Sequence, residues 1–301
     1  MRIPDLLRED EPSFSFEFFP PKTEEGLTAL FETVEKLQPL APDFVSVTYG
    51  AAGSTRDGTV EISERIQNEF GIETMAHLSC VGETIGGLEA ILDRLGEAGI
   101  ENILALRGDP PRGATDFEAP EGGLTGSAEL AAFIRGRSDW GIGGSCFPEV
   151  HPEAESPQAD IAYLKQKVDS GAEFVISQLF FDNAVFFDWL AEVRAAGIEV
   201  PVFAGILPVR SYSGLVRFCE VCDAKIPKRV HEGLAACNGD GAAERAWGIA
   251  YAARQAEELL AAGVQGLHFY TLNHSDSTLA VLGALKAARP WERAGSGVAT
   301  A

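Results

Sequence analysis

The stretch SFSFEFFPPK, Ser13–Lys22, separates two architectures that share one alternation of strands and helices. Its first six residues alternate serine or glutamate with phenylalanine, the period-two pattern of a strand with one polar and one apolar face. The chain then runs into Phe19-Pro20-Pro21. Proline has no amide proton and a fixed φ, so this segment cannot make the glycine-rich turn that follows the first strand of a dinucleotide-binding doubly wound sheet. No GxGxxG or P-loop pattern occurs elsewhere in the chain. After the first run at Phe14–Phe19, β-branched or aromatic runs recur at Phe44–Thr48, Thr74–His77, Ile103–Leu106, Gly141–Phe147, Phe174–Gln178, Val202–Ala204 and Leu267–Thr271. The intervals have helical periodicity, as in EEGLTALFETVEKL and NAVFFDWLAEVRAAG, and several end at Gly71, Gly99, Gly171 or Gly197, a normal helix stop. The last interval is longer and holds two further helical stretches, Pro227–Cys237 and Gly241–Gly263. Eight strand–helix units predict an α/β fold, a (β/α)8 TIM barrel with extra helices before the last strand, of about 250 residues plus insertions. All 301 residues are read as a single catalytic barrel domain, with flexible termini at 1–12 and 292–301.

The chain carries 24 Lys+Arg against 45 Asp+Glu, a formal charge of −21, and is 46% apolar. The apolar share supports a large buried core and excludes a disordered or fibrous chain. The charge argues against nonspecific nucleic-acid binding, which needs cations to displace phosphate counterions, and against docking on anionic lipid. No apolar run reaches the ~18 residues of a membrane span, and the opening MRIPDLLREDEP lacks the apolar core of an export signal. A cytoplasmic location is expected. Five cysteines, an odd number, make no disulfide framework. Cys219-x-x-Cys222 has redox or zinc spacing but sits in the helical pattern SGLVRFCEVC with no second pair in register. It is read as small core residues, and no metal site is expected.

Barrel enzymes place their chemistry at the C-terminal ends of the strands. In the first strand the phenylalanines suit the helix-packed face, which puts Ser15 and Glu17 inside, near the top. A carboxylate there loses hydration and needs a raised pKa or a partner. Glu17 is therefore either a general acid or base, or a structural residue paired with an inward cation. Strand two ends at Thr48 and Tyr49, and strand three at His77, a functional or a satisfied core histidine. Arg107-Gly108-Asp109 closes strand four ahead of a long loop, suited to an anionic ligand or to an ion pair bracing that loop. Strand five leads into FPEVHPEA, where His151 has no third or fourth metal ligand in place. Lys167, on the next helix, reaches a phosphate or belongs to a solvated face. Gln178 ends strand six as a donor–acceptor for an amide-like heterocycle edge or for neighbouring backbone. One acid, one Arg, one Asp, a Gln and several aromatics suit a flat heteroaromatic ligand with an anionic tail better than hydrolysis.

SFEFFPPK (Ser15–Lys22), FVSVTYGA (Phe44–Ala51), AHLSC (Ala76–Cys80), ALRGDPP (Ala105–Pro111), FPEVHPEA (Phe147–Ala154), ISQLFFD (Ile176–Asp182), GILPV (Gly205–Val209) and HFYTLN (His268–Asn273) occur in that order. Together they resemble the 5,10-methylenetetrahydrofolate reductases of the bacterial single-domain type, from Ser13 to about Pro290. The resemblance implies FAD as cofactor, NAD(P)H with NADH favoured as donor, and methylenetetrahydrofolate as acceptor, in a ping-pong hydride transfer that feeds methionine synthesis. It implies no regulatory domain responsive to S-adenosylmethionine. A homo-oligomer is expected. Glu17 matches the general acid that helps open the folate imidazolidine ring to the 5-iminium ion. Asp109 matches the aspartate near the flavin and the pterin that supports that cation. Thr48 matches a nicotinamide-side contact, Gln178 a glutamine bonding the pterin or the nicotinamide amide, and Phe218 an aromatic that stacks on either substrate. Tyr49, Ala51, His77, Arg107, Gly108, Asp109, His151, Ala154, Asp160 and Lys167 match flavin contacts, with Arg107, His151 and Lys167 toward its phosphate and ribityl portion.

The chain departs from the family pattern at Phe147, where a tyrosine is common, and at Tyr163 and Gln166, where Asn and Arg can contact the cofactor. These three remain cofactor-side positions, with weaker binding expected on the adenosine side. Gly214 and His274 stand for a glutamine and an arginine where the p-aminobenzoyl-glutamate is received. His274 is thus a substrate-side residue expected to make folate affinity pH-dependent. Two alternatives use the same barrel: a flavin-independent pterin reductase and a non-catalytic folate-binding protein. All the expected ligands are anionic, so on a body of charge −21 the cations must gather at a locally positive barrel mouth.

Overall fold

The computed structural model describes residues 1–8, 10–49, 56–108 and 119–293, so Ala51 and Asp109 lie outside the described residues. Eight parallel strands close in chain order: β1 (Ser13–Phe18), β2 (Phe44–Val47), β3 (Thr74–Ser79), β4 (Asn102–Leu106), β5 (Gly141–Cys146), β6 (Phe174–Ser177), β7 (Val202–Ile206) and β8 (Gly266–Tyr270). Among the described residues the surrounding helices are α1 (Glu24–Leu37), α2 (Arg56–Phe70), α3 (Ile85–Glu97), α4 (Ser127–Arg137), α5 (Pro157–Asp169), α6 (Asn183–Ala195), α7 (Tyr212–Cys222), α8 (Lys228–Ala235), α9 (Gly241–Ala261) and α10 (Asp276–Ala288). The (β/α)8 barrel expected from the sequence is present; α7 is the helix that follows β7, and α8 and α9 are the two extra helices before the last strand.

Helices begin where a side-chain oxygen takes up an amide that the first turn leaves unpaired. Thr23 accepts from the Gly26 amide, Thr84 from Gly87, Ser156 from Ala159, Asp182 from Ala184, and Asp240 from Ala242 and Ala243. Strand register sets what faces inward. β1 pairs with β8 so that Ser15 lies opposite His268 and Glu17 opposite Tyr270, and with β2 so that Glu17 lies opposite Ser46. Phe14, Phe16 and Phe18 are buried outside the barrel, against Leu30, Phe31 and Val34 of α1.

The barrel interior is divided along its axis. Near the strand starts it is apolar, with Phe44, Met75, Leu104, Phe174 and Phe203 clustered around Ile3. Phe44 and Phe203 meet edge-on, with ring centroids 5.3 Å apart. Each buried phenylalanine contributes about 1.5–3 kcal/mol, so this layer is a firm floor for what lies above it. A short 3-10 helix, Ile3–Leu6, closes that end; Ile3 is fully buried and its amide donates to Asn102 Oδ1 at 2.7 Å. Toward the strand ends the interior turns polar, with Ser15, Ser46, His77 and His268 all buried.

Candidate active site

Glu17, the inward residue near the end of β1, meets imidazoles rather than an Arg or Lys. Its Oε2 lies 3.5 Å from Nε2 of His77 on β3 and 3.5 Å from Nε2 of His268 on β8. His268 has no exposed surface; its Nδ1 is 2.7 Å from Ser15 Oγ and its Nε2 is 3.4 Å from Ser46 Oγ. Burial pushes the His77 pKa down to about 4, with Glu17 opposing the shift and His268 adding to it. His77 is therefore neutral near pH 7, and its Nε2 has no hydrogen-bond partner among the described residues. Tyr270, beside Glu17 in the sheet, donates its hydroxyl to Ser177 O at 2.7 Å. Burial, reinforced by the Glu17 charge, holds that phenol well above its ordinary range, so it stays protonated. Thr271 Oγ1 donates to the Glu17 carbonyl at 2.5 Å, fixing the end of β1 to the loop after β8.

A second group lies at the ends of β4 and β5. Lys167, on α5, is only 5% exposed, and its Nζ donates to Ser145 O at 2.8 Å. Burial lowers its pKa, while Cys146 and Asp160 pull the other way. The same cation lies 5.1 Å from the Tyr163 ring centroid and 5.7 Å from that of Phe147. Phe147 packs edge-on against His151 at 4.6 Å. The His151 amide donates to Asp160 Oδ2 at 3.2 Å, and the Ala154 amide to His151 O at 2.9 Å. Burial lowers the His151 pKa and raises that of Asp160. Arg107 forks onto Glu153, with Nη2–Oε1 at 2.8 Å, and this hydrogen bond holds Glu153 below the usual carboxylate range. Gly108 follows at φ +88°, where a Cβ would meet Ser79 Oγ at 1.9 Å, so only glycine lets β4 close onto β3 at this point. Gln166 is exposed on α5.

Substrate-side residues line the remaining strand ends. The Thr48 amide donates to Phe18 O at 2.9 Å, beside the acid-bearing strand, and Tyr49 packs in the apolar cluster around Ala76 and Ile103. Gln178 donates its backbone amide to Cys146 O at 2.8 Å, and its side-chain oxygen accepts from the Leu179 amide at 2.9 Å. Phe218 of α7 is half-buried in one apolar cluster with Tyr270 and Leu272. Gly214 lies in the first turn of α7, its amide capped by Ser211 Oγ at 3.2 Å. His274 follows β8, with its pKa lowered by burial and by Arg210 and Arg245. The Cys219–Cys222 pair lies on the same helix, and among the described residues no three His, Cys, Asp or Glu are grouped to hold a metal ion.

The sequence reading left out His268, Tyr270, Arg210 and Arg245. His268 and Tyr270 are two apart in β8 and share the inward face of Glu17, so the alternation used for β1 also applied to GLHFY. What the arrangement offers is an acid hydrogen-bonded to His268 on the β1–β8 side, with the neutral imidazole of His77 on β3 beside it. Across the barrel it sets a buried cation with histidine and guanidinium neighbours on the β4–β5 side.

Residues 2–286 match the family described as methylenetetrahydrofolate reductase. The Arabidopsis thaliana methylenetetrahydrofolate reductase (NADH) 1 is 39% identical over 292 residues, covering 93% of this chain and 49% of the relative. The Escherichia coli 5,10-methylenetetrahydrofolate reductase is 36% identical over 267 residues, covering 89% of this chain and 88% of the relative. The chain thus spans about half the length of the plant relative. A Clostridium thermocellum protein that binds two copies of 5-methyl-5,6,7,8-tetrahydrofolic acid has a TM-score of 0.66 at 16% identity, over 95% of this chain and 97% of that one, a likeness of fold. No helix among the described residues is long and apolar enough to cross a membrane.

Proposed function

Because the chain belongs to the methylenetetrahydrofolate reductase family, we propose that it reduces 5,10-methylenetetrahydrofolate to 5-methyltetrahydrofolate with NAD(P)H, NADH favoured, supplying methyl groups for methionine synthesis. FAD is the proposed resident cofactor. The residues present fit it: His77 leaves a buried nitrogen unbonded, and Lys167 keeps a cation out of water. Lys167, His151 and Arg107 would hold its phosphate and ribityl portion, with Tyr49, Ala51, His77, Phe147, Ala154, Asp160, Tyr163 and Gln166 around it. When bound, the flavin carries the hydride between the two substrates.

The observation that carries this reading is Glu17 Oε2, 3.5 Å from each of two imidazoles inside the barrel. With Glu17 ionised, His268 presents Nε2–H to it, and Ser15 donates its hydroxyl to Nδ1. With Glu17 protonated the polarity reverses: the acid donates to Nε2, Nδ1–H donates to Ser15 Oγ, and the serine hydroxyl turns to Leu267 O, 3.4 Å away. The network therefore accommodates both charge states of the acid without moving a backbone atom, as proton delivery to the opening folate ring requires. Neutral His77 adds no competing positive charge. Asp109, Thr48, Gln178 and Phe218 are the proposed pterin and nicotinamide contacts.

The test is the absorbance of the pure protein, followed by anaerobic half-reactions. A flavin spectrum bleached by NADH and restored by methylenetetrahydrofolate is the expected result. A colourless protein that stays inactive with added FAD overturns it.

A further inference from the structure

The sheet between β6 and β7 opens before those strands end, and a side chain from β8 crosses the opening. Val175 pairs with Val202 and Ile176 with Phe203, and the ladder goes no further. At the next rung the Gly205 amide donates to Ser177 Oγ at 2.9 Å rather than to the Ser177 carbonyl. That carbonyl takes the Tyr270 hydroxyl instead, at 2.7 Å. Gly205 leaves the corridor for it: a Cβ there would stand 2.4 Å from Ser177 O and 2.7 Å from the Tyr270 ring. Any larger residue at this point of β7 would block the path from β8 to β6.

The crossing joins two parts of the site. Tyr270 lies opposite Glu17 in the β1–β8 register. Its ring stands edge-on to His268, the hydrogen-bond partner of the acid, with centroids 5.5 Å apart and planes at 89°. Its hydroxyl ends on the residue before Gln178, and the Gln178 carbonyl in turn accepts from Ser177 Oγ at 3.0 Å. On the other side the Gln178 amide continues the ladder to β5, through Cys146 O at 2.8 Å. Gln178 is thus fixed toward β5 by the sheet, and toward β7 by Ser177 and the phenol of Tyr270. Burial and the Glu17 charge keep that phenol protonated, so it stays a donor near neutral pH. A further main-chain rung would hold β6 to β7 equally well. The side-chain bridge instead ties the end of β6 to the seam that carries the acid.

We propose that Tyr270 is a positioning residue for reduction of the pterin: it holds Gln178 at the separation from Glu17 at which both groups address one heterocycle. The acid delivers a proton to the opening ring while Gln178 bonds an amide-like edge of the same molecule. Misplacing one of them by about 1 Å costs on the order of 10²-fold in rate. Hydride transfer from the nicotinamide uses no acid, so this separation matters for one half-reaction only. The inference rests on the reductase reading for the parts played by Glu17 and Gln178.

Anaerobic half-reactions of the flavin-loaded protein test it. Tyr270→Phe keeps the ring against His268 and loses only the hydroxyl. It should slow the folate half-reaction by roughly tenfold or more and leave flavin reduction by NADH within about twofold of wild type. The decisive measurement is a double-mutant cycle. In a Gln178→Ala background, Tyr270→Phe should have no further effect on the folate step, because the residue it positions has gone. The same cycle, read by calorimetric binding of 5-methyltetrahydrofolate without turnover, should show the same coupling. Ser177→Ala removes the other tie across the gap and should show the same preference for the folate step; it carries the test where Tyr270→Phe does not fold. Tyr251→Phe is the structural control. It removes a phenol-to-carbonyl bond of the same kind, from α9 to Phe181, and should lower thermal stability while the two half-reactions keep their wild-type ratio. Additive effects of Tyr270→Phe and Gln178→Ala, or equal slowing of both half-reactions, overturn the proposal and make Tyr270 a brace. A wild-type protein whose flavin takes hydride from NADH but never passes it to the folate overturns the reductase reading, and the inference with it.

Discussion

Glu17 Oε2 and His268 Nε2 stand 3.5 Å apart across the β1–β8 seam, joining residues 251 positions apart in the chain. Parallel pairing at the barrel closure makes this contact, and no local interaction along the chain substitutes for it. The consequence for catalysis is direct. Glu17→Gln keeps the shape and hydrogen-bonding capacity but cannot deliver a proton. Folate reduction should fall by roughly 10²–10⁴-fold, while reduction of the bound flavin by NADH proceeds at close to the wild-type rate. Anaerobic stopped-flow of the two half-reactions checks this; loss of both would remove Glu17 from the acid role.

Ser15→Ala isolates the far end of the same network. It leaves Nδ1 of His268 buried without its 2.7 Å partner. An unpaired buried polar group costs about 1–3 kcal/mol, so the urea midpoint should drop by that equivalent. The folate half-reaction should slow more than the nicotinamide one, because only the former needs the reversible polarity of His268. Unchanged stability would mean that the serine contact is not formed in solution.

His77 makes the protein acid-sensitive in a definite window. Its pKa is about 4 in the folded state against 6.5 when free, so the unfolded chain takes up the proton first as pH falls. The stability from keeping this imidazole neutral is complete above pH 6.5 and drains away between 6.5 and about 4, on the order of 3 kcal/mol in all. His77→Gln should flatten that part of the stability profile. Urea titrations at a series of pH values in this window test it, and an equally steep slope in the variant would assign the effect elsewhere.

The barrel was legible because two periods repeat through the whole chain, and Glu17 was legible because SFSFEF alternates cleanly. The partners of Glu17 were not. His268 reaches it only through β1–β8 closure, a pairing that spans the entire sequence. Arg210 and Arg245 meet only because α9 folds back over the loop after β7, and that packing depends on the missing side chain of Gly248. Gln178 shows a different limit: its side-chain oxygen bonds the next amide, one of the two outcomes its composition left open. Lys167 was open between a phosphate contact and a solvated helix face. Its burial removes the second choice, since the side chain runs inward from α5 to the Ser145 carbonyl.

That burial yields the sharpest test of the cofactor side. A lysine ammonium kept out of water costs free energy unless an anion or strong acceptors compensate, and here the acceptors are Ser145 O at 2.8 Å and Ser145 Oγ at 3.4 Å. Its lowered pKa is the signature of that cost. Lys167→Met keeps the apolar stem and most of the volume while removing the charge. Without flavin, the variant should therefore melt at the same temperature as wild type or higher. With flavin, it should lose affinity by roughly tenfold or more, because a charge-assisted contact to an anionic ligand has gone. Thermal melts of apoprotein and holoprotein, together with flavin retention on gel filtration, read the two effects separately. A variant that is less stable as apoprotein yet holds flavin normally would make Lys167 a structural residue and send the cofactor phosphates to Arg107 and His151 alone.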